Sequence, residues 1–176
     1  MSLHHPPSVS HHPSEELLLA YAGGVADEAA SLIVAVHLVY CAACRRQSRE
    51  MEALGGSLLQ ELAPAPMAKG ALDAALRKLD GIEPFERPAR AVSKDGTPSV
   101  LRPYIGGDLR DVRWRQVGPH LSHVPLFRRG RVAARLLRGV PGAQTGAHRH
   151  GGLEYTLVLK GGFSDETGSY APGDLQ

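Results

Sequence analysis

The stretch that most narrows what this chain can become is His37-Leu-Val-Tyr-Cys41-Ala-Ala-Cys44, which carries both cysteines of the protein. On a helix, positions four and then three residues apart fall on one face. Read as one helical run, the octet turns an imidazole and two thiols toward a single point, a donor set suited to borderline-soft Zn²⁺. Structural zinc is four-coordinate, so one more ligand has to come from elsewhere. The nearest upstream histidines are His11 and His12. The plainer alternatives are two buried thiols beside a satisfied core histidine, or a redox-active Cys-x-x-Cys pair. The added histidine, with spare histidines upstream, favours the metal. A disulfide scaffold fits poorly, because 2 cysteines in 176 residues is not a cysteine-dense chain.

The length suits one ordinary domain or two small ones. A formal net charge of +2 is too small an excess to argue for nucleic acid. Both cysteines sit in one metal-like motif, which implies a reducing compartment. The stretch from Met1 to Pro13 is polar, rich in His and Pro, and has no apolar segment of the signal-peptide kind. The longest apolar stretch, Ala29 to Cys44, is interrupted by Ser31 and His37 and falls short of the roughly 18–20 residues of a membrane span. A buried helix and a cytoplasmic location are expected.

Helix signals then follow in order. Ser14 caps a helix opened by Glu15 and Glu16, with Leu17, Leu18 and Tyr21 on its apolar face and Gly23-Gly24 ending it. Asp27 caps a second helix that passes through Leu32, Ile33, Val36 and Tyr40 and delivers His37, with Cys41 and Cys44 at its end or at the start of a third helix. Met51, Leu54, Leu58 and Leu62 form a stripe on a third, weakened or bent at Gly55-Gly56 and stopped by Pro64 and Pro66. A fourth places Leu72, Ala75, Leu76 and Leu79 on one side, either as core packing or as a partner-docking face. Residues 81–103 interleave Pro84, Pro88, Pro98 and Pro103 with charges and read as an exposed, semi-extended linker.

Beyond it the period shifts toward two. Val112 and Trp114 alternate with Arg113 and Arg115, Val132 to Val140 suggests a second strand, and Tyr155, Leu157 and Leu159 a third. Arg128, Arg129, Arg131, Arg135 and Arg138 form a basic cluster that a solvated sheet face explains. Short strands between Gly and Pro turns imply a β-sandwich or barrel. Within this region stands Gly142-x5-His148-x-His150-x3-Glu154-x6-Gly161. On extended backbone His148 and His150 share a face, and Glu154 keeps that parity if the strand continues. Two imidazoles and a carboxylate make a second metal set, for Zn²⁺, Fe²⁺ or Mn²⁺.

That spacing resembles the first motif of the cupin superfamily. Tyr170-Ala-Pro-Gly173-Asp174 looks like the approach to the second, but no histidine follows Glu154 and the chain ends at Gln176. The family's fourth ligand and closing strands are therefore expected to be absent, leaving a truncated barrel. The ordered combination resembles the ChrR family of zinc-binding anti-sigma factors. It comprises the segment from His12 to Gly23, the octet, Leu54-Gly-Gly-Ser-Leu58, Asp108-Leu-Arg-Asp-Val-Arg-Trp-Arg115, and Leu153 to Phe163 around the cupin motif. The resemblance implies that His12 is the fourth ligand beside His37, Cys41 and Cys44, with His11 in reserve.

It further implies an α+β protein of two domains. Residues 13–82 would form a four-helix zinc-binding anti-sigma domain, 83–103 a linker, and 104–176 a partial cupin β-barrel holding a second zinc at His148, His150 and Glu154. In such proteins the helical domain binds an extracytoplasmic-function sigma factor and blocks its access to core RNA polymerase. The cupin-like domain serves the response to singlet oxygen or organic hydroperoxide, so with an incomplete barrel repression is expected to survive and its release to be impaired. No catalysis, direct nucleic-acid contact or membrane contact is implied. Two other classes compete: a metal-dependent, dioxygenase-like cupin enzyme with an accessory helical domain, and a zinc-dependent DNA-binding module, which the near-neutral charge disfavours.

Overall fold

A computed structural model of the chain describes residues 9–82, 92–144 and 152–176. It is a mixed helix and sheet structure. Helix α1 spans Glu15–Ala22, and Ser14 Oγ accepts the Leu17 N–H at 3.2 Å. Helix α2 spans Glu28–Tyr40, and Asp27 Oδ1 accepts the N–H groups of Ala29 and Ala30, each at 2.9 Å. Both caps satisfy amide donors that a helix start leaves open. Helix α3 spans Ala42–Gln60 and continues through Gly55-Gly56. Helix α4 spans Ala71–Leu79 and buries no residue.

Helix α2 is apolar on more than one face, and both faces are covered. Val34 packs with Leu17, Leu18, Cys41, Cys44 and, from the far end of the chain, Leu175. Leu32 and Val36 pack with Leu101, flanked by Tyr104, Phe127 and Leu159. A helix buried all round serves two layers at once. An ion pair of 3.2 Å between Glu28 and Arg129 edges the second contact.

Residues 92–103 differ from the extended linker expected of them. Val92 bridges Pro98, a 3-10 turn covers Ser99–Leu101, and a short helix α5 spans Arg102–Ile105. Leu101 is buried against α2, and that burial overrides the proline-rich composition. Asp95 fixes the turn, accepting from the Thr97 hydroxyl and from the N–H groups of Thr97 and Arg110. The remaining positions of the expected linker, 83–91, lie outside the described residues.

Strands β1 (Arg115–Gln116), β2 (Leu121–Arg129) and β3 (Val132–Gly139) form an antiparallel sheet in that order. The expected strand at Val112 and Trp114 is reduced to the two residues of β1. The backbone just before it is committed elsewhere: residues Leu109–Asp111 make a 3-10 turn whose Leu109 N–H donates to Thr97 Oγ1 at 2.8 Å. The β2–β3 hairpin turns at Gly130 (φ 58°) and Arg131, and its register slips between Pro125 and Phe127. A proline has no N–H for the ladder, so a bulge there is the usual accommodation.

Strands β4 (Phe163–Asp165) and β5 (Gly168–Tyr170) form a separate hairpin. The expected strand through Tyr155, Leu157 and Leu159 is instead an irregular segment with one isolated bridge, Leu157 to Leu175. Its partner is the stretch 173–176, through backbone bonds between Thr156 and Gln176 and between Val158 and both Gly173 and Asp174. Among the described residues the strands therefore form sheets of three and two strands, not one closed barrel.

Candidate metal centre

The octet is not one helix. Cys41 sits between α2 and α3 with extended backbone (φ −101°, ψ 107°). It closes the first helix through its N–H, donated to His37 O at 2.9 Å, and opens the second through its sulfur, which accepts the Cys44 N–H at 3.4 Å. Arg45 braces the corner by donating from Nη1 to the carbonyls of Leu38 and Val39 at the end of α2. The cysteines fall where the second expected helix gives way to the third: His37 in the last turn of α2 and Cys44 in the first turn of α3 face the same point as Cys41.

The segment preceding α1 crosses that point. His12 Nδ1 lies 3.5 Å from Cys41 Sγ and 3.4 Å from Cys44 Sγ, and its ring stands edge-on to that of His37 with centroids 5.6 Å apart. One donor atom from each of His12, His37, Cys41 and Cys44 lies within 4.8 Å of every other. A tetrahedral zinc with ordinary bonds to nitrogen and sulfur would set its N and S ligand atoms roughly 3.5 Å apart, close to both distances found for His12. His11, the reserve candidate, is turned away. Its ring packs on Tyr170 at 4.4 Å and its Nδ1 lies 3.5 Å from Asp174 Oδ2.

His37 supplies the sharper sign of a metal. The residue is fully buried, and its Nδ1 donates to the Gly173 carbonyl at 2.8 Å. Its other nitrogen, Nε2, is buried with no hydrogen-bond partner. A buried polar atom without a partner is costly, and a lone pair aimed into a His₂Cys₂ cluster is what a metal ligand requires. Burial lowers the His37 pKa, against the opposing effect of the Gly173 hydrogen bond, which keeps the ring neutral and able to ligate. Burial, with the hydrogen bond and charge of Cys41, pushes the Cys44 thiol up to about 12. Without a cation the pocket holds that thiol protonated. A coordinated zinc removes the proton. The residues present therefore fit a zinc ion.

The second set is only partly in view. His148 and His150 lie outside the described residues. Glu154 is exposed in the irregular segment before Leu157, and its carboxylate lies 3.5 Å from Arg135 Nη2. Gly173 and Asp174, read from sequence only as part of a cupin motif, turn out to touch the first cluster. No residue-type signal pointed there, because the Gly173 contact is made by a backbone carbonyl. Large apolar side chains are exposed on α3 and just after it, at Leu54, Leu58 and Leu62, and on α4, at Leu72, Leu76 and Leu79.

Fold and site together define a class: a helical unit with a His₂Cys₂ cluster that could hold a metal ion, its His37, Cys41 and Cys44 buried, together with an antiparallel β region. Residues 104–176 match the family model described as the ChrR cupin-like domain. The chain is 43% identical over 171 residues to the anti-sigma-E factor ChrR of Cereibacter sphaeroides, covering 96% of this chain and 79% of that protein. It also matches a chain of the crystal structure of Rhodobacter sphaeroides SigE in complex with the anti-sigma ChrR. That match has a TM-score of 0.80 and 39% identity, over 96% of this chain and 86% of that one. The chain belongs to the ChrR family of anti-sigma factors. That membership does not favour the alternative of a dioxygenase-like cupin enzyme.

Proposed function

We propose that this protein is an anti-sigma factor that binds an extracytoplasmic-function sigma factor and blocks its access to core RNA polymerase. The observation that carries the reading is the exposed apolar row on α3 and α4. Leu58 on α3 is 59% exposed, and Leu72 and Leu76 on α4 are 66% and 50% exposed. Apolar side chains left exposed at helical spacing suit a protein-docking role. The solved relative in complex with SigE supports a sigma factor as the partner.

The metal at His12, His37, Cys41 and Cys44 is zinc in a structural role. It ties the segment carrying His12 to the α2–α3 corner and contributes folding free energy to a small helical unit. Residues 13–82 act as the sigma-binding domain and 104–176 as the cupin-like domain, joined by 83–103. A second zinc at His148, His150 and Glu154 belongs to the latter and serves the response to singlet oxygen or organic hydroperoxide. The expected role needs binding and no catalysis, and it places the protein in the cytoplasm. Among the described residues no helix is long and apolar enough to cross a membrane.

The test is transcription in a purified system of core polymerase, sigma factor and cognate promoter. Equimolar zinc-loaded protein is expected to abolish sigma-dependent transcripts when added before core. Undiminished transcription with every extracytoplasmic-function sigma factor of the same genome would overturn the reading.

A further inference from the structure

The chain that follows the last hairpin reaches the metal cluster at His37. The Gly173 carbonyl that accepts from His37 Nδ1 comes from 136 positions further along the chain. Gly173 adopts φ 97° and packs so closely that a Cβ there would sit 2.7 Å from both Tyr40 Cβ and Val9 Cγ2. Only a glycine fits that approach. The next residue, Asp174, is 1% exposed and its carboxylate accepts the N–H groups of Ser10 at 2.7 Å, His11 at 2.9 Å and Ala171 at 2.8 Å. The Leu175 N–H then donates to the His11 carbonyl at 3.1 Å, and its side chain joins the core beside Cys41 and Cys44.

Two of the four donors are thus placed by one strap. Gly173 selects the His37 tautomer that leaves Nε2 free for the metal, and Asp174 with Leu175 fixes the backbone immediately before His12. The strap is itself held by the segment after Glu154. The Gly173 N–H donates to Val158 O at 2.8 Å, the Val158 N–H to Asp174 O at 3.1 Å, and Thr156 and Gln176 exchange a pair of backbone bonds.

We propose that Gly173, Asp174 and Leu175 are positioning residues for the zinc centre, through which the conformation of the β region sets how tightly the helical unit retains its metal. This rests on the reading that His12, His37, Cys41 and Cys44 hold zinc. Outer partners of metal ligands fix ring orientation and basicity, and their loss typically costs about 10–100-fold in affinity. A displacement of residues 156–158 would draw the strap away and loosen His37 and His12 together, with no change to any ligand. The geometry is a mechanical route from the β region to the sigma-binding unit.

The experiment follows zinc release to a chromophoric chelator from the full chain, together with the visible spectrum of the cobalt(II)-substituted protein. Gly173→Ala forces the carbonyl off His37. Asp174→Asn keeps the side-chain volume and weakens the grip on Ser10 and His11, and it carries the test where the alanine variant does not fold. Leu136→Ala is the control: it removes a buried β3 side chain that is not part of the strap. The expected result is zinc release faster by roughly 10–100-fold in the strap variants. Their cobalt d–d bands should shift while the thiolate charge-transfer band remains. Leu136→Ala should match wild type in both. Wild-type rates and spectra in folded strap variants would overturn the proposal, as would equal acceleration by Leu136→Ala. A wild-type protein without zinc at the cluster would overturn the site and the proposal with it.

Discussion

His12 Nδ1 lies 3.4 Å from Cys44 Sγ, so a residue from the segment before α1 meets one in the first turn of α3 across the whole of α1 and α2. His11 faces the opposite way, onto Tyr170 and Asp174. The neighbours should therefore separate cleanly on substitution. His12→Ala is expected to weaken zinc binding by at least about a hundredfold, as befits loss of a direct ligand. His11→Ala should leave zinc stoichiometry unchanged. Competition titration against a chelator of known affinity reads both. A larger loss with His11→Ala would reassign the fourth ligand.

Zinc binding at this site must displace the Cys44 proton, because burial and Cys41 hold that thiol up at about 12 in the metal-free pocket. The sign is fixed. Below that pKa the metal-free site is protonated, so protons compete with zinc and apparent affinity falls as pH falls. The expected dependence is at least about tenfold per pH unit between pH 8 and pH 6. Calorimetry in buffers of differing ionisation enthalpy should show at least about one proton released per zinc. A pH-independent affinity would mean that Cys44 is not a ligand.

The row Leu72, Leu76 and Leu79 on α4 is exposed. Leu76→Glu should therefore change the stability of the free protein by less than about 0.5 kcal/mol. Buried in a partner, the same position should cost at least about 2 kcal/mol, some thirtyfold in affinity for the sigma factor. Thermal melts and equilibrium binding on one preparation separate the two effects. A large drop in melting temperature with unchanged affinity would make the row a packing surface.

Leu101, buried against Leu32 and Val36, tests whether the β region and α2 share one core. Leu101→Ala should cost about 2–4 kcal/mol in chemical denaturation. Arg129→Ala, which removes the solvent-exposed pair with Glu28, should cost less than about 1 kcal/mol. The reverse ranking would place the interface energy in charge, not in packing.

What the sequence showed follows from where the determining chemistry lies. Ser14 and Asp27 announce their helices because capping is a side-chain property at a fixed offset. Cys41, Cys44 and His37 are legible because donors of that type at that spacing are uncommon. The helix break at Cys41 is legible only as the end of one helix or the start of the next, since cysteine carries no breaker signal. It arises from the sulfur bonding the Cys44 N–H. Strand β2 is hidden by Pro125, which the fold absorbs in a bulge. The helix and turn at 99–105 are hidden by Pro98 and Pro103, and packing of Leu101 on α2 creates them. The bond from His37 to Gly173 could not be read at all, because a backbone carbonyl has no signature in the sequence.

The most direct test is the affinity of the zinc-loaded chain for its cognate sigma factor, measured beside chelator-stripped protein and Cys41→Ser, with zinc content determined on each sample. A metal-clipped anti-sigma factor predicts a one-to-one complex with zinc at His12, His37, Cys41 and Cys44. It also predicts at least about a hundredfold loss of affinity in the stripped and Cys41→Ser forms. Equal affinity with and without zinc would contradict it.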